Sequence, residues 1–335
     1  MNKLTISLDA ITANYKTLKN DFTGSECAAV VKADGYGLGM TPIAKRLSKE
    51  GCRKFFVATM EEGIELRKSI QDQIYVFHGA QKDEIKDFTA HNLIPVINNS
   101  AQLEIWPKDK PCVLHFDTGM TRLGFNDLLS MKAYNVVMIM SHLACADESH
   151  DGKNSEQLEN FHKIAAAFPQ IPKSLCNSSG IYLSPKYHFD IARPGIALYG
   201  GHNREMRNVV TLTAPIIHIQ QISKTSTIGY GAEYECVPGD VIATIPLGYA
   251  DGILRSLNHK GRVYSGDYEL PIVGRISMDL ITIKINNLPL EQRRLGTMVE
   301  ILGEKYNIHD MARDAGTIEY EIITRLGNRF ERVYK

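Results

Sequence analysis

The sequence carries no surplus of either charge: 38 Lys and Arg stand against 38 Asp and Glu in 335 residues, for a formal net charge of zero. Sequence-independent affinity for nucleic acid comes from excess cations meeting phosphates, so a polyanion is not an expected partner, and neither is an anionic membrane surface. Long apolar runs are also missing. Stretches such as Val136 to Met140 are far short of a membrane span, and the opening MNKLTISLDA lacks the apolar core and small-residue cleavage site of a secretory leader. The six cysteines, at 27, 52, 112, 145, 176 and 236, contain no CxxC pair and no regular framework, and a chain this long needs no disulfide staples. A soluble chain in a reducing cytoplasm is the expectation. An apolar fraction of 44% with 23% charged residues excludes disorder and leaves one large barrel or two domains.

Eight short apolar runs stand out: Ala28 to Val31, Phe55 to Ala58, Ile74 to Phe77, Leu93 to Ile97, Cys112 to Phe116, Val136 to Met140, Ser174 to Cys176 and His188 to Ile191. Helical spacing lies between them. The clearest signal is Thr41-Pro42 as N-cap and first helical residue, with Ile43, Ala44 and Leu47 on one face and Gly51 as terminator. Another helix, from about Asp9 to Phe22, places Ile11, Tyr15, Leu18 and Phe22 together. Eight strands alternating with helices predict a closed (β/α)8 barrel, with a doubly wound open sheet as competitor. After about residue 205 the pattern changes. Val241 to Pro246, Arg262 to Ser265 and Leu280 to Ile285 alternate without helices and are punctuated by Pro238-Gly239-Asp240 and Ser265-Gly266-Asp267, which predicts a mainly antiparallel β domain. Helical patterning returns around His309 to Ala315 and Ile318 to Leu326. The expected division is a barrel over 8–205 and a β domain over 206–335, with residues 1–7 forming a strand that joins the latter.

Barrel enzymes place reactive groups at the carboxyl ends of strands. That rule selects Lys32, His78, Asp117 with Arg122, His142, Asn177 with Ser178, and Arg193. A lysine at a barrel mouth is a candidate Schiff-base nucleophile, because burial lowers its pKa toward neutrality; the alternative is an exposed lysine in a glycine-rich turn. Ser178 and the amides of Gly195 and Ile196 form a candidate phosphate site near the last strands, against the alternative that CNSSG is only a turn. His142, Cys145 and His150 lack a second matching pair, so no metal site is expected.

Seven segments in order, VVKADGYGLG around Lys32, DTGMTRLGF at 117–125, SHLACADE at 141–148, ARPGIALYG at 192–200, GYGAEY at 229–234, PLGYADG at 246–252 and GRISMD at 274–279, closely resemble the alanine racemase family. The likeness extends to the closing YEIITRLGNRFERVY and so covers essentially the whole chain. It implies a fold type III enzyme in which Lys32 holds pyridoxal 5'-phosphate as an internal aldimine. Tyr36, Ser178, Gly195 and Ile196 would hold the phosphate, and Arg193 would face the pyridine nitrogen. It further implies a two-base mechanism through an external aldimine, with Lys32 acting on D-alanine and Tyr230 on L-alanine. His142 would connect Tyr230 to Arg193. Arg122, Met278 and Asp279 would surround the substrate carboxylate, with Tyr249 at the channel mouth. The family builds each site from two subunits, so the resemblance implies a homodimer in which Tyr230, Tyr249, Met278 and Asp279 serve the partner's lysine. Its product would be D-alanine for peptidoglycan.

Two positions depart from the family pattern. Many relatives have a carbamylated lysine where this chain has His115, which cannot form that stable anion, so Arg122 must be oriented by another group. Asn328 stands where some relatives place a phosphate-contacting tyrosine. A serine or broad-specificity racemase remains the closest alternative, since methyl and hydroxymethyl side chains differ by one polar atom. A pyridoxal-phosphate homeostasis protein would use the barrel alone, and the residues after 205 count against it. The metal-dependent aldolase and dehydratase of similar fold place a cysteine near the C-terminus, and none follows Cys236 here.

Overall fold

Seven short segments of the first half lie side by side in parallel: Ala29–Val30, Lys54–Val57, Gln73–Val76, Leu93–Ile97, Cys112–His115, Val136–Met140 and Lys173–Ser174. Apart from Lys173–Ser174, they are mostly apolar because helices cover one face and the barrel interior fills the other. Phe55, Phe56, Ile74, Val76, Val113 and Leu114 are fully buried. The computed structural model describes residues 2–127, 133–203 and 205–335. Contacts divide the chain into two units, Ile11–Leu198 and Met1–Ala10 with Tyr199–Lys335.

The ring closes through a broken first strand. Glu26–Cys27 pairs with the eighth segment, Ile191–Ala192, while Ala29–Val30 pairs with the second. At the break, the Ala28 N–H donates to the Ala192 carbonyl (2.9 Å) and the Val30 N–H to that of Pro194 (3.0 Å). The Arg193 N–H donates to the Cys176 carbonyl (2.9 Å), joining the eighth segment to the seventh. This is the (β/α)8 barrel rather than an open sheet.

Three boundaries differ from the sequence expectation. The eighth strand begins at Ile191, because His188 follows the 3-10 turn Pro185–Tyr187 and both ring nitrogens are engaged there, Nδ1 with Thr23 and Nε2 with the Ile181 carbonyl. The seventh strand is Lys173–Ser174 and ends before Cys176. The helix expected to start at Thr41-Pro42 runs Met40–Lys49, since Asp34 Oδ1 accepts the Met40 N–H (2.8 Å) and fixes the start two residues earlier. Pro42 stays in the first turn, where its missing N–H breaks no helical bond.

The other unit is built from antiparallel sheets. In its largest sheet Lys3–Ile6 lies between Val210–Pro215, antiparallel, and Glu331–Tyr334, parallel. Met298–Leu302 and the hairpin Arg262–Ser265 with Tyr268–Pro271 extend that sheet on the far side of Val210–Pro215. A three-stranded sheet contains His218–Gln221, Val241–Ile245 and Ile281–Lys284. A two-stranded ribbon, Ser226–Ile228 with Tyr234–Cys236, carries Tyr230 in its connecting loop. Two helices, Ile308–Ala315 and Glu319–Thr324, complete the unit. Among the described residues no helix is long and apolar enough to cross a membrane.

Candidate active site

Lys32 directly follows the first barrel strand and opens a tight turn, Lys32–Tyr36. Ala33, Asp34 and Gly35 take left-handed φ values of 53°, 51° and 64°, which for non-glycine residues costs about 1–2 kcal/mol each. Hydrogen bonds from Gly35 N to Val31 O (2.8 Å) and from Gly39 N to Asp34 O (2.7 Å) hold the turn. The Lys32 amine is pushed below the usual lysine range by burial and by the Arg122 guanidinium, while Glu62 opposes the shift.

Arg193 is buried at the end of the eighth strand. Its guanidinium donates to the Ser174 hydroxyl, to the Ser141 carbonyl (2.6 Å) and toward His142 Nδ1 (3.5 Å). Burial lowers its pKa to about 10, so it stays charged at neutral pH. Because guanidinium has no acceptor, His142 Nδ1 must accept, and the ring proton sits on Nε2. Burial first, and the Arg193 charge second, hold His142 well below its ordinary pKa and keep it neutral.

His115 is fixed by a similar argument. Asn98 Nδ2 donates to the carbonyls of Phe77 and Val96 (both 2.9 Å), leaving Asn98 Oδ1 as acceptor. His115 Nδ1, at 2.8 Å, is therefore the donor, and Nε2 carries the lone pair. Burial, then the Arg193 and Arg122 charges, lower its pKa to about 4. Above pH 6.5 the folded and unfolded chains are both neutral at this residue. As pH falls from 6.5 toward 4, the unfolded chain takes a proton that the folded chain refuses, and stability drops by about 3 kcal/mol through this group. Urea titrations between pH 7 and pH 4 should show this loss, and His115→Gln should reduce the pH slope by about one proton. An unchanged slope would contradict the neutral assignment.

The other strand-end candidates separate into chemistry and scaffolding. Asp117 Oδ1 accepts the N–H groups of Gly119, Met120 and Thr121 (2.9, 2.9 and 3.1 Å) and so shapes the loop that carries Arg122. The Phe125 N–H returns to the His115 carbonyl (2.9 Å), closing that loop at its base. Asn177 Oδ1 accepts from Gly180 N (2.8 Å), as a turn former does, and the His78 carbonyl accepts from Gln102. Among the described residues no group of three His, Cys, Asp or Glu side chains is arranged to hold a metal.

Ser178 is a buried hydroxyl whose Oγ accepts the N–H groups of Gly195 (2.9 Å) and Ala197 (3.2 Å). A Cβ at residue 195 would lie 2.1 Å from the Tyr36 hydroxyl oxygen, so only glycine allows that oxygen to approach the backbone. Two hydroxyls and a run of backbone amides thus meet at the end of the seventh and eighth strands. Buried amides missed by the sequence reading brace other strand ends: Asn98 and Gln102 beside Phe77 and His78, and Gln157, bonded to Thr118, to the His142 carbonyl and to Ala144 N.

In the β unit, Tyr230 and Tyr249 line a cavity of about 410 Å3 with Arg255, Arg275, Ile276 and Ser277. Tyr230 is 72% exposed, in a loop whose neighbours Gly229 and Gly231 have φ of 68° and 78°. A Cβ at residue 231 would sit 2.9 Å from the Arg275 guanidinium carbon, and that guanidinium pairs with Glu233. Tyr249 N donates to the Ser277 carbonyl (3.1 Å) and Ala250 N to that of Met278 (3.0 Å), so the Tyr249 and Met278 turns are stitched together. Asp279 pairs with Arg329 (2.8 Å), which also reaches the buried Asp251 (3.1 Å). The carboxylate of Asp279 is therefore engaged within its own unit.

Comparison with known proteins identifies the family and its fold. Residues 6–203 match the family model "Alanine racemase, N-terminal domain" and residues 209–334 match "Alanine racemase, C-terminal domain". The alanine racemase of Rickettsia canadensis is 45% identical, with 99% of this chain aligned to 98% of that protein. That of Brucella canis is 39% identical over 99% of this chain and 93% of its own. The crystal structure of alanine racemase from Bartonella henselae with covalently bound pyridoxal phosphate superposes with a TM-score of 0.94 at 34% identity, covering 100% of this chain and 99% of that one. The Bacillus anthracis enzyme with bound L-Ala-P gives 0.89 at 26% identity, covering 100% and 95%.

Proposed function

The chain belongs to the alanine racemase family, and from that premise we propose that it interconverts L- and D-alanine by a two-base mechanism with pyridoxal 5'-phosphate as cofactor. The observation that carries the reading is a half-buried lysine opening a tight left-handed turn at the end of the first barrel strand, with the Arg122 guanidinium acting on its amine. The residues present fit a cofactor phosphate: the Gly195 position admits no Cβ, and hydroxyl and amide donors meet beside Ser178. Lys32 would carry the cofactor. Tyr36, Ser178, Gly195 and Ile196 would hold its phosphate, and Arg193 its ring nitrogen. When bound, pyridoxal phosphate supplies the electron sink that makes the substrate Cα–H acidic.

Arg193 can donate a hydrogen bond to the ring nitrogen but cannot give up its proton there, which weakens the sink and favours return of the proton to Cα. The Lys32 amine, lowered by burial and by Arg122, takes or returns the Cα proton on the face of the D-enantiomer. Tyr230 does so on the opposite face. A tyrosine with a pKa near 10 is a poor base at neutral pH, and the neutral His142, with its proton on Nε2 and Nδ1 on Arg193, is set to donate to the phenolate. Arg122 holds the substrate carboxylate, with the Met278 backbone and Asp279 beside it and Tyr249 at the entrance.

Tyr230, Tyr249 and Met278 are 72%, 41% and 53% exposed, an uncommon state for large side chains grouped on one unit. Their exposure supports a homodimer in which they complete the partner's site. D-Alanine for peptidoglycan is the proposed use of the product.

The test is incubation of the holoenzyme with L-alanine and, separately, L-serine in deuterated water, following optical rotation and α-deuterium together. Loss of rotation with solvent exchange for alanine is the expected result. Equal rates with serine would make this a broad-specificity racemase. Unchanged rotation with both would overturn the assignment.

A further inference from the structure

Glu62 is the third residue of the helix Met60–Arg67, whose N-cap Thr59 accepts the Glu62 N–H (3.3 Å). In a capping box the carboxylate at this position returns to the N–H of the cap residue itself. Here it reaches further. Oε2 accepts the N–H of Ala58 (2.7 Å), just past the second barrel strand, and Oε1 accepts the N–H of Ala33 (2.6 Å), the residue after Lys32. Both bonds are short and charge-assisted, the stronger kind. One side chain thus ties the ends of two adjacent strands at the barrel mouth. It does so at the first residue of a left-handed run that strain would otherwise relax.

We propose that Glu62 is a positioning residue for Lys32: its carboxylate fixes the backbone from which the amine is presented to the reacting carbon. The inference rests on Lys32 bearing the cofactor and acting on the D-enantiomer. Helix capping alone would need only the helix end, whereas the bond to Ala33 reaches outside the helix to the reactive segment. Among the charged groups acting on Lys32, Glu62 is also the one that opposes burial and Arg122.

The experiment compares the Glu62→Gln, Glu62→Asp and Thr59→Ala holoenzymes. Its readouts are α-deuterium incorporation from D- and from L-alanine and the pH midpoint of the cofactor's visible band without substrate. Glutamine offers one acceptor oxygen and turns an NH2 toward a backbone donor. It should slow exchange from D-alanine by about tenfold or more, and from L-alanine less. The midpoint should move to lower pH, because a negative charge near the lysine nitrogen is lost, and should return in Glu62→Asp. Thr59→Ala, which weakens only the cap, should lower Tm and leave the D-to-L ratio and the midpoint unchanged. An unaltered ratio and midpoint in Glu62→Gln, or the same change in Thr59→Ala, would overturn the proposal. If Glu62→Gln fails to fold, the ratio in Glu62→Asp decides by the same criterion. Absence of exchange in the unmutated enzyme would instead overturn the racemase reading, and the midpoint would then decide the role of Glu62.

Discussion

Alanine in place of Lys32 is expected to reduce racemisation by about 10³-fold or more, because one residue is removed both as point of attachment and as one of the two bases. The protein should still fold. Among the described residues the Lys32 amine has no hydrogen-bond partner, and its ammonium lies 5.7 Å from the Phe77 ring centroid, a contact of modest worth. Two measurements separate the roles. Borohydride reduction of the unmutated holoenzyme followed by peptide mass analysis should find the cofactor on the Lys32 peptide. In Lys32→Ala the visible band of the linked cofactor should vanish, while non-covalent cofactor remains held by the phosphate-site residues. Attachment at any other lysine would remove the basis of the whole assignment.

The second large effect concerns Tyr230. Phenylalanine there keeps the ring and removes only the hydroxyl, so racemisation should fall by about 10²–10⁴-fold while α-exchange from D-alanine persists. The proposed sharing of sites allows a sharper experiment. Neither Lys32→Ala nor Tyr230→Phe homodimers should be active. When the two are mixed and allowed to exchange protomers, each heterodimer carries one site with an intact lysine and an intact tyrosine and one with neither. Random pairing should then restore about a quarter of the unmutated activity. No recovery, with subunit exchange verified by native mass spectrometry, would mean that both residues serve the same protomer's site or that no shared site exists.

The barrel was legible because its strands are short, apolar and regularly separated, and five of the eight runs lie within a residue or so of the observed strands at both ends. The eighth was misjudged for a local reason. His188 reads as the edge of an apolar run, yet its ring is spent on the Ile181 carbonyl and on Thr23, the latter distant in sequence, and no pattern announces either. The helix start at Thr41-Pro42 failed likewise, because Asp34, six residues before Met40, supplies the acceptor that fixes it. Reactive groups at strand ends were visible as polar residues after apolar runs. Their supports were not: Asn98, Gln102 and Gln157 are buried amides whose side chains bond to Phe77, His78 and His142, partners set only once neighbouring strands are packed. Glu62 shows the intermediate case. Thr59-x-x-Glu62 announces a helix start, but the reach to Ala33 depends on two strands lying side by side.

The strand Lys3–Ile6 bears on biosynthesis. It leaves the ribosome more than three hundred residues before its parallel partner, Glu331–Tyr334. The segment that follows it, through Leu198, forms its own unit and can fold while the rest is still being made. The first strand cannot. It must wait, with Leu4 and Ile6 unburied, for its antiparallel partner Val210–Pro215, and its other edge stays open for more than a hundred residues after that. A nascent chain in that state is a natural client for a holdase, and loss of Glu331–Tyr334 would leave the strand's parallel edge bare.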